Sequence, residues 1–355
     1  MNPLKADILS QGNNIGAVID HLFGQEQERL RVAAQFVKPD KPIVLIGVAS
    51  AAYLCWPAQV YLSQRGRVTR IMNAADALYH EWPALKDANV VINSRSGETA
   101  EIVKLAERLQ DQAIPFLALT NEPASTLAHM TDHVLWANTR RDDLVSINVV
   151  TGMMLTTLIW AASVSGDLNQ VRPALEKLPE AVGATAEYAL EIADQLVDSI
   201  STRSPLYLLS RGASQGAGLC GRLVLEEVAR QPAVALEAAE FRQGPNEVID
   251  DRFGALLFIG GGETAVLTRA LSQEIHRYGG KVIAIGTQDA IDGLPGMTVQ
   301  IPMAPATFAP ILEVIPVQGL AYKLAERQGY EPGTVRYITK IIAAEAADEA
   351  VSLAA

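Results

Sequence analysis

Ser94, Ser96 and Thr99 stand in the stretch Asn89-Val90-Val91-Ile92-Asn93-Ser94-Arg95-Ser96-Gly97-Glu98-Thr99-Ala100-Glu101, where a short apolar run ends in a hydroxyl-rich turn and passes directly into the helical run Ile102 to Gln110. Three hydroxyls and the first free N–H groups of a helix would converge there on one small volume, and Gly97 lets the backbone approach it closely. Such donors satisfy an oxyanion, and the positive end of the helix dipole favours its charge. The loop has neither the Lys of a Walker loop nor a Gly-x-Gly-x-x-Gly run, so a phosphate monoester on a small molecule fits better than a nucleotide. The structural alternative is helix capping by Ser96 or Thr99, with Glu98 and Glu101 complementing the dipole.

A second chemical candidate is Glu226-Glu227, on a helix spanning Arg222 to Gln231. Glu227 shares a helical face with Leu223 and Val224, so it is the glutamate that faces inward. An inward carboxylate has a raised pKa, which suits a base abstracting a proton next to a carbonyl. From spacing alone, two solvated glutamates are the alternative. His80 and Glu81 could sit near a sheet's carboxyl edge, although a half-exposed loop is their plainer reading. His129 and His133 have the i, i+4 spacing of a metal pair, but no third ligand stands near them in sequence, and the stretch from Asp132 to Ala137 reads as a strand. Arg140, Arg141, Asp142 and Asp143 read as a solvated turn with internal pairing.

The elements that must position these groups alternate between apolar runs and helices. Residues 4 to 38 read as one or two helices stopped by Pro39 and Pro42, followed by a strand at Ile43 to Ile46 and a turn to Ser50. A helix from Ala51 to Gln64 must contain or begin near Pro57. Strands are expected at Val68 to Met72, at the apolar run before Ser94, at Phe116 to Thr120 and at His133 to Ala137. A helical region from Leu144 to about Ser201, broken near Gly166 and Pro173, leads into a second series: strands at Leu206 to Leu209, Ala255 to Ile259 and Lys281 to Gly286. Alternation of this kind predicts α/β architecture, two doubly wound parallel sheets in tandem with connecting helices.

The halves repeat. Gly97-Glu98-Thr99-Ala100 matches Gly262-Glu263-Thr264-Ala265, and Cys55 matches Cys220, both 165 residues apart; Ala49-Ser50 matches Ala213-Ser214 at 164. Three landmarks at nearly one offset indicate an internal duplication. Ile259 and Gly261 stand where the first half has Ser94 and Ser96, so the anion site is expected in the first half only. The matched cysteines read as packing positions rather than reactive thiols.

Composition sets the outer bounds. With 355 residues, 49% of them apolar, the chain can bury a large core and form two domains. A net charge of −11 without a long basic run argues against nucleic acid or an anionic membrane as partner. Two cysteines give neither a disulfide framework nor a Cys-x-x-Cys pair. No signal sequence or membrane span is apparent, and a cytosolic location is expected.

Ser94-Arg95-Ser96-Gly97-Glu98-Thr99-Ala100-Glu101 resembles the signature of the sugar isomerase (SIS) domain family. The tandem arrangement, with Glu226-Glu227 and then Glu240-Phe241-Arg242-Gln243-Gly244-Pro245 in the second half, is similar to the isomerase half of glucosamine-6-phosphate synthase and to free-standing phosphosugar isomerases, aminosugar-phosphate deaminases and fructosamine-phosphate deglycases. The likeness runs from about Ile43 to Lys340 and implies flavodoxin-like domains. It further implies that Ser50, Ser94, Arg95, Ser96, Gly97 and Thr99 form the sugar-phosphate site. Glu227 would then carry the proton between C1 and C2, and Lys340 would come from a C-terminal segment closing over the sugar. Gln243 stands where the synthase has a ring-opening histidine, and Val224 where it has a lysine. The Ala-Ser-Thr-Lys stretch expected after the first domain is not recognisable around Val145 to Gly152.

These readings give N-terminal helices plus a first SIS domain at 1–165, connecting helices at 166–200, a second SIS domain at 201–340 carrying the glutamate, and a tail at 341–355 that reads as a short helix. The expected activity is isomerisation, deamination or deglycation of a sugar 6-phosphate or aminosugar or fructosamine phosphate. No metal or redox cofactor is expected, and the absent glutaminase domain removes glutamine-dependent amidotransfer. The alternative is a phosphosugar sensor without turnover. The resemblance also implies a homodimer with sites near the subunit interface.

Overall fold

A computed structural model describes residues 1–142, 145–338 and 341–344. Two helices, α1 (Pro3–Phe23) and α2 (Gln27–Gln35), precede a first sheet built from β1 (Ile43–Gly47), β2 (Thr69–Asn73), β3 (Asn89–Ser94), β4 (Phe116–Thr120) and β5 (Val134–Trp136). Its helices are α3 (Ser50–Tyr53), α4 (Trp56–Ser63), α5 (Ala74–Tyr79), α6 (Ala100–Asp111) and α7 (Thr126–His129). Three helices follow, α8 (Asn148–Val164), α9 (Leu168–Glu191) and α10 (Ala193–Ser199). The second sheet comprises β6 (Leu206–Ser210), β7 (Ala233–Glu237), β8 (Gly254–Ile259), β9 (Lys281–Gly286) and β10 (Met297–Gln300), with helices α11 (Gln215–Ala229), α12 (Ala238–Phe241), α13 (Ala265–Arg277), α14 (Gln288–Ile291) and α15 (Ala309–Arg327).

Both sheets are wholly parallel, ordered β2-β1-β3-β4-β5 and β7-β6-β8-β9-β10. This is one strand order used twice, the flavodoxin-like order, which agrees with the duplication read from sequence. Every residue of β1, β3, β4 and β8 is buried, as strands covered by helices on both faces must be. In each sheet the chain reverses direction across the pair β1/β3 or β6/β8, so the loops after those strands frame a crevice at the carboxyl edge.

Several elements differ from expectation. The helix expected at 51–64 is two helices, with Pro57 in the first turn of α4, where its missing N–H costs nothing. The helical region breaks near Gly166, at φ +75°, but Pro173 lies inside α9 and does not end it. Edge strands β7 and β10 escape the sequence reading, being only partly buried. Tail residues 341–344 form no helix, and 345–355 lie outside the described residues.

The two halves share one core. A single apolar cluster includes Leu45 under the first sheet, Trp160 in α8, Leu208 under the second and Phe308 before α15. Helix α8 is buried at every residue from Asn148 to Ala162, as expected of a helix apolar on all sides. Across the halves the Arg222 guanidinium donates to the Tyr53 hydroxyl at 2.9 Å, and Gly216 packs so closely on α4 that a Cβ there would lie 3.0 Å from Pro57. Among the described residues no helix is long and apolar enough to cross a membrane.

Candidate functional site

The loop after β3 holds the hydroxyls as its sequence suggests. Gly97 has φ +65°, and a Cβ on it would fall 2.1 Å from the Ser125 hydroxyl, so only glycine completes this turn. The Ser94 hydroxyl accepts from the Gly97 N–H at 3.1 Å, and that of Ser96 from the Glu98 N–H at 3.2 Å. Thr99 occupies the N-cap of α6 without a side-chain capping bond, so capping does not account for its hydroxyl. Glu98 does not face the helix end; it accepts from the N–H of Thr126 at 2.7 Å and its hydroxyl at 2.8 Å, tying the loop to α7. The first N–H of α6, on Ala100, donates to the Ile342 carbonyl of the C-terminal segment at 3.1 Å.

The neighbouring loop after β1 supplies Ser50. Ala49 before it has φ +47°, a left-handed conformation costly to a residue with a Cβ, and Gly47 lies against the backbone of Ala51. The strained turn brings Ser50 to the same crevice. Ser50, Ser94, Arg95, Ser96, Thr99 and Glu227 line one cavity of about 210 Å³. Leu223 and Val224 line it too, so the helical face inferred for Glu227 is the one turned inward. Glu226 points elsewhere, with Arg222 Nε at 3.8 Å.

Burial pushes the Glu227 carboxyl up to about 7, repulsion from Glu226 adds to the rise, and Arg95 pulls against it. Arg95 thus stands between the hydroxyl loop of the first half and the carboxylate of the second. The cavity combines donors for an anion with a carboxyl poised between its charged and neutral forms.

Other expected residues lie elsewhere. Gln243 is exposed after α12 and lines neither this cavity nor the one beside it, and Lys340 and Asp143 lie outside the described residues. His80 is exposed at the end of α5, and Glu81 pairs with Arg70. His133 packs on Phe36 with ring centroids 4.9 Å apart, and among the described residues no group of three His, Cys, Asp or Glu side chains is placed to hold a metal ion. Cys55 and Cys220 are buried, and burial pushes the Cys55 thiol up to about 12 and raises that of Cys220 further, with repulsion from Cys55 contributing.

One reading is corrected. Asp142 is not part of a solvated turn: it is 8% exposed and accepts from the backbone N–H groups of Ile147, Asn148 and Val149 and from the Asn148 side chain, at 2.8 to 3.0 Å. It satisfies the free N–H groups at the start of α8, whose buried end has no water to do so. Sequence reasoning also missed Ser146, Asn93 and the α8 residues Val149, Val150 and Met153, all of which line the cavity. An aspartate shortly before a long apolar helix was the available signal for the first of these contacts.

The second crevice is furnished differently. In place of Ser94-Arg95-Ser96 stand Ile259-Gly260-Gly261, and Ser214, the counterpart of Ser50, donates to buried Glu313 at 3.0 Å. A Cβ on Gly260 would fall 2.8 Å from the Ser214 hydroxyl and 3.4 Å from Glu313 Oε1, so side chains of this half already occupy the crevice. Burial pushes the Glu313 carboxyl up to about 8.

Glutamine–fructose-6-phosphate aminotransferase (isomerizing) of Pyrococcus horikoshii is 24% identical over 336 residues, covering 93% of this chain and 56% of that one. The enzyme of the same name from Pyrobaculum aerophilum is 26% identical over 334 residues, covering 91% and 54%. The chain therefore spans about half the length of these curated relatives. Among solved structures, the C-terminal domain of glucosamine-fructose-6-phosphate aminotransferase from Francisella tularensis superposes with a TM-score of 0.81 at 19% identity, covering 91% of this chain and 95% of that one. Tagatose-6-phosphate ketose/aldose isomerase from Escherichia coli gives 0.77 at 18%, covering 94% and 95%, and glucosamine-6-phosphate deaminase from Thermotoga maritima 0.75 at 20%, covering 96% and 99%. At these identities the likeness to solved structures is one of fold. Residues 37–161 and 199–325 each match the SIS domain and each hold one of the two sheets, so the chain belongs to the SIS domain family and carries that domain twice.

Proposed function

We propose that the protein is a phosphosugar enzyme that moves a proton between C1 and C2 of its substrate, with Glu227 as the base. The observation that carries this reading is the meeting, in one cavity, of a hydroxyl- and arginine-bearing loop from one half and a carboxyl raised to about 7 from the other. Ser50, Ser94, Ser96, Thr99 and Arg95 hold the phosphate. That anchor sets the distance at which the sugar's other end reaches Glu227. The ionised carboxylate takes a proton from the carbon beside the carbonyl, leaving an enediolate; a proton passes from the hydroxyl oxygen to the former carbonyl oxygen, and the carboxyl returns its own proton to the neighbouring carbon.

The named activities of its relatives, isomerisation and deamination among them, are variants of this proton shift. Glutamine-dependent transfer is not part of the proposal. Lys340 is assigned to closure over the sugar by resemblance alone. Within one chain Gln243 is exposed and does not line the cavity, so a role for it calls for a second copy of the chain; a homodimer is proposed on that basis.

Glu227→Gln tests the reading. Turnover of phosphosugars should fall at least ~10²-fold while binding is kept, and unchanged turnover removes Glu227 from the mechanism. Ser96→Ala should weaken binding of a phosphosugar far more than that of the unphosphorylated sugar. Equal losses on both would overturn the phosphate assignment. A thermal-shift screen with fructose 6-phosphate, glucosamine 6-phosphate and a fructosamine 6-phosphate, followed by product assays, separates enzyme from sensor: several ligands bound with none turned over would favour the sensor.

A further inference from the structure

Asn93 stands in β3 one residue before the serine loop and lines the cavity, although it is only 1% exposed. Two groups hold its amide. Thr157 Oγ1 in α8 accepts from Nδ2 at 2.9 Å, and Cys55 Sγ accepts from it at 3.3 Å. Neither partner has a hydrogen left to give: the Thr157 hydroxyl donates to the Met153 carbonyl at 2.8 Å and the Cys55 thiol to the Ala51 carbonyl at 3.3 Å. Both therefore present lone pairs, and the amide has to turn its NH2 toward them. That fixes Oδ1 on the other side, where among the described residues it has no hydrogen-bond partner. A buried acceptor left unmatched is destabilising, so an apolar side chain would serve folding better at this position.

We infer that Asn93 is a substrate-binding residue whose Oδ1 accepts a hydrogen bond from a hydroxyl of the sugar chain, at a carbon between the phosphate and the C1–C2 bond. The inference rests on the function proposed above. Helix α11 supplies the ruler: Cys220, Val224 and Glu227 share one of its faces and all line the cavity. Repulsion between the Cys220 and Cys55 thiols places them near one another, so Asn93, bonded to Cys55, belongs to the Cys220 end of that face. Glu227 is two turns further on, about 10 Å along the helix. With the C1–C2 bond at Glu227 and the phosphate on the loop that follows Asn93, the part of the ligand that meets the amide is the polyol stretch between them. An amide oxygen accepts from a hydroxyl and repels a phosphate, so it also sets the direction in which the ligand lies.

Oδ1 lies just beneath the cavity surface. Met153 precedes Thr157 by one turn on the same face of α8 and is itself in the lining, and displacement of this unbranched side chain opens the way to the amide.

The test measures Kd by calorimetry for glucitol 6-phosphate, an open-chain phosphosugar that has no carbonyl and is not turned over, and for its 3-, 4- and 5-deoxy analogues. The full chain is compared with Asn93→Leu. This variant should bind glucitol 6-phosphate about tenfold more weakly. One deoxy analogue should bind the wild-type protein with a similar loss and lose nothing further in Asn93→Leu, because the same contact has been removed from either side. Thr157→Val, of nearly the same shape, unpins the amide and should weaken the same preference by a smaller factor; it carries the test where Asn93→Leu does not fold. If all four ligands lose the same factor in the variants, or none does, Asn93 only supports the fold and the inference is overturned. Ser96→Ala keeps the two readings apart. Binding that depends on Ser96 with no hydroxyl preference tied to Asn93 defeats the inference alone, whereas absence of binding by all four ligands defeats the phosphosugar reading and the inference with it.

Discussion

As the base proposed above, Glu227 would work only when ionised, and a folded-state value of about 7 puts half of it in the other form at neutral pH. The expected kcat/KM therefore rises with pH through about 7 and levels above it. Arg95 favours the charged form, so Arg95→Met should move the midpoint upward; a midpoint near 4.5, the ordinary glutamate value, in the wild-type protein would refute a buried base. The inward face of Glu227 was legible because helical spacing fixes which neighbours share a side. Asp142 was not, because its burial depends on the packing of α8 against the rest of the chain and not on its neighbours in sequence. The strain at Ala49 was equally hidden, since nothing in Val48-Ala49-Ser50 announces a positive φ.

Among the elements, the serine loop and the glycine loop have one backbone plan and different contents. Gly97→Ala would combine a left-handed φ with a collision on Ser125, whose hydroxyl accepts from the Ala128 N–H at the start of α7. A loss of ~1–3 kcal/mol in stability is expected, with weaker phosphosugar binding, measurable by urea unfolding and calorimetry. Glu313 gives the second loop a different signature. Between pH 4.5 and about 8 the folded protein keeps a proton that the unfolded chain has released, so stability should fall as pH rises across that window and level off above it. Glu313→Gln keeps a partner for Ser214 and removes its titration; the fall in melting temperature between pH 5.5 and 8 should shrink to the part that raised Glu227 contributes, and an unaltered slope would place the proton elsewhere. Central strands were legible from their apolar runs, whereas β7 and β10, at sheet edges with mixed burial, resemble loops in composition.

For the molecule as a whole, the duplication was readable from three landmarks at nearly one offset, but the joining of the halves was not. A core running from Leu45 through Trp160 to Leu208 predicts a single cooperative thermal transition. Two resolved transitions would mean that the halves unfold apart. The homodimer proposed from the position of Gln243 should appear in light scattering at twice the 38.1 kDa chain mass, and a monomer would remove it.

The paired cysteines make this joining measurable as a rate. Cys55 is fully buried, lies outside the cavity lining and has a thiol raised to about 12, so an alkylating reagent can reach it only while the packing around it is open. When closing outruns modification, the labelling rate equals the intrinsic thiol rate multiplied by the opening equilibrium, which makes Cys55 a clock for the separation of the two halves. A phosphosugar gripped by both halves would slow that clock by the factor 1 + [L]/Kd, so its affinity could be read from a single buried sulfur that never touches it.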